Sequence, residues 1–296
     1  VQDDLVDVPG TWAQLAVERL GGTLLVVGAP DVGKSTFARY LYGRLCGAAV
    51  RAAFLDGDPG QSALGPPTTM TLAFGEAGDV CFPPQGQAYR SFVGAVTPQG
   101  HTFPLLVGAA RLVQAARAAG ADAVIYDSSG LVDLAAGGVA LKQVLVDLLR
   151  PSAVVAIQRG RELESLLAPL RRSQQVQVVD LRPSSAARRR DTSERRAYRA
   201  AQFAAYFRSG QSVEVDWSRM LVLPTPGFAP NRLVALENRD GFVLGLGIVL
   251  DRDAKARRVM LHTPLGSLYG VDTLRLGDVV VDLETFRDQH LGVSRW

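Results

Sequence analysis

The sequence predicts a doubly wound α/β domain, a mostly parallel sheet with helices on both faces, followed by a small β-rich C-terminal module. Three observations carry this expectation. Over the first two thirds, apolar runs of strand length alternate with segments of helical periodicity, the pattern of parallel strands joined by crossover helices. A glycine-rich loop falls between the first such strand and the first such helix. Beyond about Asn231 the pattern shifts to short β segments, punctuated by Gly241, Gly245, Gly247, Gly266, Gly270 and Gly277.

Taken in order, residues 22–27 read as a buried strand, 28–34 as a loop and 35–45 as a helix. A second strand is expected over 52–55, running into Asp56-Gly57-Asp58-Pro59-Gly60-Gln61. An alanine-rich helix over 104–119 precedes a third buried strand at 123–126. The next helix, 141–149, is stopped by Pro151, and strands follow at 153–157 and 176–181. From Pro183 a basic helix is expected to reach Tyr206-Phe207. The domain organisation that results is a first domain over 1–210 with an arginine-rich segment at about 183–207. A linker would cover 211–230 and a β module 231–296, with strands near 233–237, 242–250, 258–262 and 279–282.

The 296 residues are enough to bury one large core with an appendage, and 47% hydrophobic with 21% charged residues is ordinary for a globular enzyme. Of 32 basic residues only Lys34, Lys142 and Lys255 are lysines. The arginines favour phosphate through a planar fork, and a pI near 9.0 permits an acidic partner without demanding one. Cys46 and Cys81 are too few and too unpatterned for a disulfide framework or a zinc site. No apolar run approaches the roughly 18 residues of a membrane span, and no secretion signal opens the chain, so no membrane partner and a cytoplasmic location are expected.

Gly28-Ala29-Pro30-Asp31-Val32-Gly33-Lys34-Ser35 fits G-x-x-x-x-G-K-S/T with a strand before it and a helix after it. Backbone N–H groups in such a P-loop hold phosphate oxygens, and the helix N-terminus adds positive potential. Lys34 is placed to reach the β- and γ-phosphates of ATP, and the Ser35 hydroxyl to join the shell of Mg²⁺. Asp56 and Asp58 close the second strand. A kinase acting on a hydroxyl needs one carboxylate to accept its proton and others to order magnesium water, and Gln61 stands nearby for the acceptor oxygen. The same Asp-Pro-Gly also fits a simple turn. Asp127, after the apolar 124–126, has the position of a Walker-B carboxylate facing the metal, and Ser128-Ser129-Gly130 follows directly. Ligand sites of open α/β sheets lie at these strand ends. His101, in Thr97-Pro98-Gln99-Gly100-His101, is one of three histidines, and a surface position and a role in the site are equally open. Between Arg182 and Arg199 lie seven arginines: Arg182, Arg188, Arg189, Arg190, Arg195, Arg196 and Arg199. Arg195 and Arg199, four apart, project from one helix face and could close on a phosphoryl group; a solvated face or a non-specific nucleic-acid patch fits the composition as well.

Together these motifs resemble the polynucleotide 5′-hydroxyl kinases of RNA processing, a family that includes the kinase subunit of the pre-mRNA cleavage machinery, a nucleolar kinase of ribosomal RNA maturation, and shorter archaeal and bacterial relatives. The resemblance rests on Gly28 through Thr36, Asp56-x-Asp58-Pro59-Gly60-Gln61 with Pro66-Pro67, and Phe92-Val93-Gly94 with Thr97-Pro98-x-Gly100-His101. It continues through Asp127-Ser128-Ser129-Gly130-Leu131-Val132 with Leu141-Lys142, the basic helix, Gly245-Leu246-Gly247-Ile248 and Thr263-Pro264. It implies a P-loop kinase that takes ATP or another NTP, with Mg²⁺, and a nucleic acid bearing a 5′-OH end, RNA or DNA; protein partners are not implied. It implies Gly28, Ala29, Pro30, Asp31, Val32, Gly33, Lys34, Ser35 and Thr36 on the nucleotide, and Ser35, Asp56 and Asp127 on the metal. Asp58 is implied as general base, Gln61, Thr97, His101, Ser128, Ser129 and Gly130 at the nucleic-acid end, and Arg195 and Arg199 as lid arginines. Leu131 stands where some members carry an aromatic residue that stacks on a base; Tyr89, Phe92 or Phe103 could supply that stacking. Two rival readings are a P-loop hydrolase and an inactive ATP-binding scaffold of an RNA-processing assembly.

Overall fold

The computed structural model describes residues 8–16, 20–75 and 81–291. In chain order the elements are α1 (Gly10–Ala13), β1 (Gly22–Gly28), α2 (Lys34–Gly47), β2 (Ala52–Gly57), β3 (Thr69–Phe74), β4 (Ala88–Phe92), α3 (Thr102–Ala118) and β5 (Ala123–Ser128). These are followed by α4 (Gly138–Leu149), β6 (Ala153–Ile157), α5 (Glu164–Ser173), β7 (Gln177–Leu181) and α6 (Thr192–Phe207). The remainder is β8 (Gln211–Asp216), a 3-10 turn (Trp217–Arg219), β9 (Leu221–Leu223), β10 (Arg232–Glu237), β11 (Val243–Asp253), β12 (Arg258–Thr263), β13 (Thr273–Val281) and β14 (Asp288–His290).

One sheet has the order β4-β3-β2-β5-β1-β6-β7, flanked by helices, with β2, β5, β1, β6 and β7 parallel and β3 antiparallel to β2. Its central strands are buried throughout, which is why β1 and β6 read as continuous apolar runs. β1 lies between β5 and β6, so the chain's direction of travel across the sheet reverses there, and open α/β sheets place their ligands at the carboxyl ends of strands beside such a reversal. The second sheet, β14-β13-β10-β11-β12-β8 with β9 alongside β13, is antiparallel except for the β9–β13 pair.

The chain divides into two compact units whose segments interleave. The first comprises Val1–Asp58, Thr71–Ala88 and Ala109–Arg190; the second comprises Pro59–Met70, Tyr89–Gly108 and Asp191–Trp296. This division differs from the expected one, first in assigning Pro59–Met70 and Tyr89–Gly108 to the second unit, and in two further respects. Residues 211–230 are not a free linker, because β8 pairs with β12 and β9 with β13. The basic helix α6 belongs with the β module rather than with the P-loop domain. Phe203 and Phe207 are fully buried among Leu233, Leu246 and Ile248, and Tyr206 Oη accepts the Leu246 N–H at 2.9 Å. The helix also starts later than Pro183, at an Asp191–Glu194 capping box that fixes its first turn. Neither β3 and β4 nor α5 is visible in the sequence pattern. β3 is a short alternating segment between Gly65-Pro66-Pro67 and Gly75 for which no strand is expected above, β4 has few apolar residues, and α5 carries Pro169 inside it.

Alternate residues of β10 enter different clusters, Leu233 and Ala235 with α6, Val234 and Leu236 with Phe228 and Val259. Phe203→Ala should therefore empty the α6 side of this core and cost about 3–5 kcal/mol of stability. A large drop in thermal midpoint is the expected result; a change within a degree or two would show that α6 contributes little to the second unit.

Candidate active site

The first unit builds the site from strand ends. β1 runs straight into the cradle, and Gly28 is required by crowding. A Cβ at this position would lie 2.6 Å from the Ile157 carbonyl oxygen and 2.7 Å from Val32 Cγ2. Lys34 is only 7% exposed and its Nζ donates to the Ala29 carbonyl at 2.7 Å, so the lysine folds back over its own loop. α2 begins after Gly33 with no side-chain cap and no acidic residue in its first turn. A helix start of this kind, with no acidic cap, suits an anion such as phosphate. Asp31 is held in the left-handed region at φ 58°, its carbonyl accepting from Arg159 Nη2 at 2.7 Å and its carboxylate from the Arg190 N–H at 3.2 Å.

β2 and β5 pair in register, Asp56 opposite Asp127 and Gly57 opposite Ser128. Opposed residues on neighbouring strands share a face, so two carboxylates meet beside the cradle. Both are buried, at 2% and 4% exposure. Burial pushes the Asp127 carboxyl up to about 7; the Ser35 hydroxyl and Lys34 oppose this, while Asp56 and Asp58 reinforce it. Asp127 Oδ1 is buried without a hydrogen-bond partner. Asp58 follows at the end of β2, half-buried.

The turn after β5 is pressed against the cradle: a Cβ on Gly130 would meet Pro30 Cγ and N at 3.0 Å. Ser128 and Ser129 are buried. Ser128 Oγ donates to the Val26 carbonyl at 2.7 Å and accepts from Lys142 Nζ at 2.9 Å, so its hydroxyl is committed to protein rather than open to a substrate, contrary to expectation. Lys142 Nζ also donates to the Ser129 carbonyl at 2.8 Å and lies 3.4 Å from Ser129 Oγ. Burial and Lys34 push this ammonium down to about 7, with Asp58 and Asp127 pulling the other way. Sequence reading gave Lys142 no role. The available signal was its place on the apolar stripe of α4, in line with Leu145, Val146 and Leu149.

The remaining expected site residues lie in the second unit. Gln61 Nε2 donates to the Gly60 carbonyl at 2.6 Å, and Thr97 Oγ1 accepts the Gln99 N–H at 3.3 Å. His101 departs from a substrate-facing role: its Nε2 lies 3.0 Å from Asp278 Oδ2 and its side chain is 13% exposed. A carboxylate only accepts, so Nε2 carries the proton. Asp278 also accepts from Arg232 Nη2 at 3.3 Å, and its N–H donates to the Gly94 carbonyl at 2.8 Å, which ties this loop to β13. Arg199, expected to face a phosphoryl group, makes a two-pronged pair with Asp288 at 2.9 and 3.0 Å, the two side chains 12% and 7% exposed. Arg195 is half-buried one turn earlier. Of the aromatic residues considered for base stacking, Phe92 is core, Tyr89 packs on Phe242 at 4.9 Å, and Phe103 is 82% exposed.

A cradle between strand and helix with buried carboxylates beside it defines a P-loop nucleotide-binding protein, whose phosphate donor is of the ATP type. Residues 28–209, more than half of the chain, match the family model described as mRNA cleavage and polyadenylation factor CLP1 P-loop, and the chain belongs to that family. It is similar to a polyribonucleotide 5′-hydroxyl-kinase of Pyrococcus abyssi, 24% identical with 90% of this chain and 91% of the relative aligned. A relative of the same name from Thermococcus kodakarensis is 33% identical over 73% of this chain and 60% of its own length. The fold resembles that of Clp1p in a solved Clp1p–Pcf11p complex, with TM-score 0.67 and 13% identity over 88% of this chain and 75% of that one. Among the described residues no helix is long and apolar enough to cross a membrane.

The raised Asp127 pKa has a definite sign. The folded state holds this proton more tightly than the unfolded chain, so its contribution favours folding below about pH 4. That contribution is lost as pH climbs through about 7, where the buried carboxylate must ionise. Asp127→Asn should therefore melt no lower than wild type at pH 8 in the absence of metal ions. A thermal midpoint well below wild type under those conditions would count against a desolvated carboxylate.

Proposed function

We propose that this chain is an ATP-dependent polynucleotide 5′-hydroxyl kinase that transfers the γ-phosphate to the 5′-OH end of RNA. The observation that carries the reading is the convergence, within the first unit, of the cradle, the Asp56–Asp127 pair and the turn Ser128–Gly130 at the carboxyl ends of β1, β2 and β5. The names of the archaeal relatives support the choice of acceptor.

Mg²⁺ fits this site on the chemistry of the donors. Asp127 Oδ1 is a buried oxygen in want of a partner, the Ser35 hydroxyl is hydrogen-bonded to the same carboxylate, and Asp56 stands in register beside it. These are hard oxygen ligands, and a magnesium ion completes its shell with phosphate and water rather than with a full protein cage. Once bound, it neutralises charge on the β- and γ-phosphates. The cradle N–H groups and Lys34 hold those phosphates. Asp58 accepts the proton of the 5′-hydroxyl as its oxygen bonds to the γ-phosphorus, the bond from that phosphorus to the β-γ bridging oxygen breaks, and ADP leaves. The Ser128–Gly130 turn positions the acceptor end. Arg195 carries the lid role, while Arg199 supports it by fixing α6 to β14 through Asp288.

Labelled ATP with 5′-OH RNA and DNA oligonucleotides, and a 5′-phosphorylated control, tests the reading. Label transfer to 5′-OH RNA with none to the control is expected; ATP hydrolysis indifferent to oligonucleotide would replace the kinase by a hydrolase. Within that assay Lys34→Ala should lower the rate by roughly 10²–10³. Asp58→Asn should lose turnover with little loss of ATP affinity. Equal and small effects of Asp56→Asn and Asp58→Asn would return this segment to a plain turn.

The two helix arginines should separate cleanly. Arg195→Ala is expected to lower kcat with little change in oligonucleotide affinity, since only contacts stronger in the transition state raise kcat. Arg199→Ala should instead cost stability, about 3–5 kcal/mol for stranding the buried Asp288, and Asp288→Asn should reproduce part of that loss. If Arg195→Ala keeps full kcat and merely binds oligonucleotide less well in a salt-sensitive way, the helix is an electrostatic handle.

A further inference from the structure

Lys142 is fully buried, at 1% exposure, and every hydrogen bond described for its ammonium goes to one turn: Ser128 Oγ, Ser129 O and Ser129 Oγ. Burying an ammonium among neutral oxygens is costly, and an uncharged residue would cover the apolar face of α4 at less expense. The chain otherwise meets its need for basic side chains with arginine, 29 times in 32. Two of its three lysines are buried in the first unit, Lys34 in the cradle and Lys142 behind the Ser128–Gly130 turn. An arginine fork is planar and longer, and does not match a closed pocket whose acceptors converge on one point.

We propose that Lys142 is a positioning residue for the acceptor: from behind, it sets the Ser128–Ser129–Gly130 turn against the cradle, so that the 5′-OH end is presented in line with the phosphate donor. The proposal rests on the kinase reading above. The geometry behind it is a chain of contacts within the first unit. Lys142 grips Ser128 and Ser129, Ser128 is anchored to β1 through the Val26 carbonyl, and Gly130 abuts Pro30 with no room for a Cβ. Slack in this turn would move the acceptor relative to the γ-phosphate, and a displacement of about 1 Å can cost 10²-fold in rate. The nucleotide side, held by the cradle N–H groups and Lys34, does not pass through Lys142.

The test compares Lys142→Met, Ser128→Ala and the double variant with wild type, measuring equilibrium ATP affinity, KM for a 5′-OH RNA oligonucleotide, kcat and the thermal midpoint. Lys142→Met is expected to lower kcat/KM for the oligonucleotide by roughly 10²-fold while ATP affinity stays within about twofold. Ser128→Ala should shift the same parameter in the same direction by less. The double variant should be no worse than Lys142→Met alone, since the two act as one unit. A merely structural role would lower the thermal midpoint and spread the loss over ATP and oligonucleotide alike, and that outcome overturns the proposal, as does an unchanged kcat/KM. Should Lys142→Met fail to fold, Ser128→Ala decides alone: impaired acceptor kinetics with intact ATP affinity support the proposal, and unimpaired acceptor kinetics refute it. A wild-type protein that phosphorylates no 5′-OH oligonucleotide would instead refute the kinase reading itself.

Discussion

The parallel register between β2 and β5 is the constraint on which the site depends. It sets Asp56 opposite Asp127 and Gly57 opposite Ser128, so that one slip of the ladder would turn the carboxylates to the opposite face. Two acids so close and so buried are unfavourable for the empty protein. The first unit offsets them with two lysines and a hydroxyl: Lys34 and Ser35 from the cradle side, Lys142 from beneath the Ser128–Gly130 turn. The result is a compact array in which burial pushes the Asp127 carboxyl up and the Lys142 ammonium down, each partly held back by its neighbours.

Much of this was legible in the sequence, for physical reasons that can be named. β1, β5 and β6 are buried on both faces and so appear as unbroken apolar runs, and the cradle has a spacing that phosphate geometry dictates. Asp127 was found because it ends such a run. Local pattern failed where tertiary partners decide. Ser128 looks like a substrate ligand until Val26 and Lys142 are seen to occupy its hydroxyl. His101 and Arg199 looked chemical because they are polar residues in loop and helix. Their actual partners, Asp278 and Asp288, lie 177 and 89 residues away in sequence.

The stretch 211–230 departs from the linker expectation for a related reason. Its polar, glycine- and proline-containing composition suits a linker, yet β8 and β9 are strands at or near the limits of their sheet, where one side pairs and the other faces water. Edge strands need less apolar content than central ones, and composition alone does not separate them from loops. α6 presents the opposite problem. Its arginines dominate the eye, while Phe203 and Phe207 determine which unit it joins.

The interleaving of the two units has a consequence for synthesis on the ribosome. Phe92 reaches the exit tunnel long before Leu233, Leu246 and Ile248, its partners in the α6 core, have been made. At roughly 5–20 residues per second the delay is on the order of ten seconds. During that interval β4 can pair in the first sheet, but the Phe92 ring lacks the α6-core neighbours it packs against in the finished chain. The packing of Phe92 is therefore completed only after the last third of the chain has been made, whatever the first unit has achieved by then.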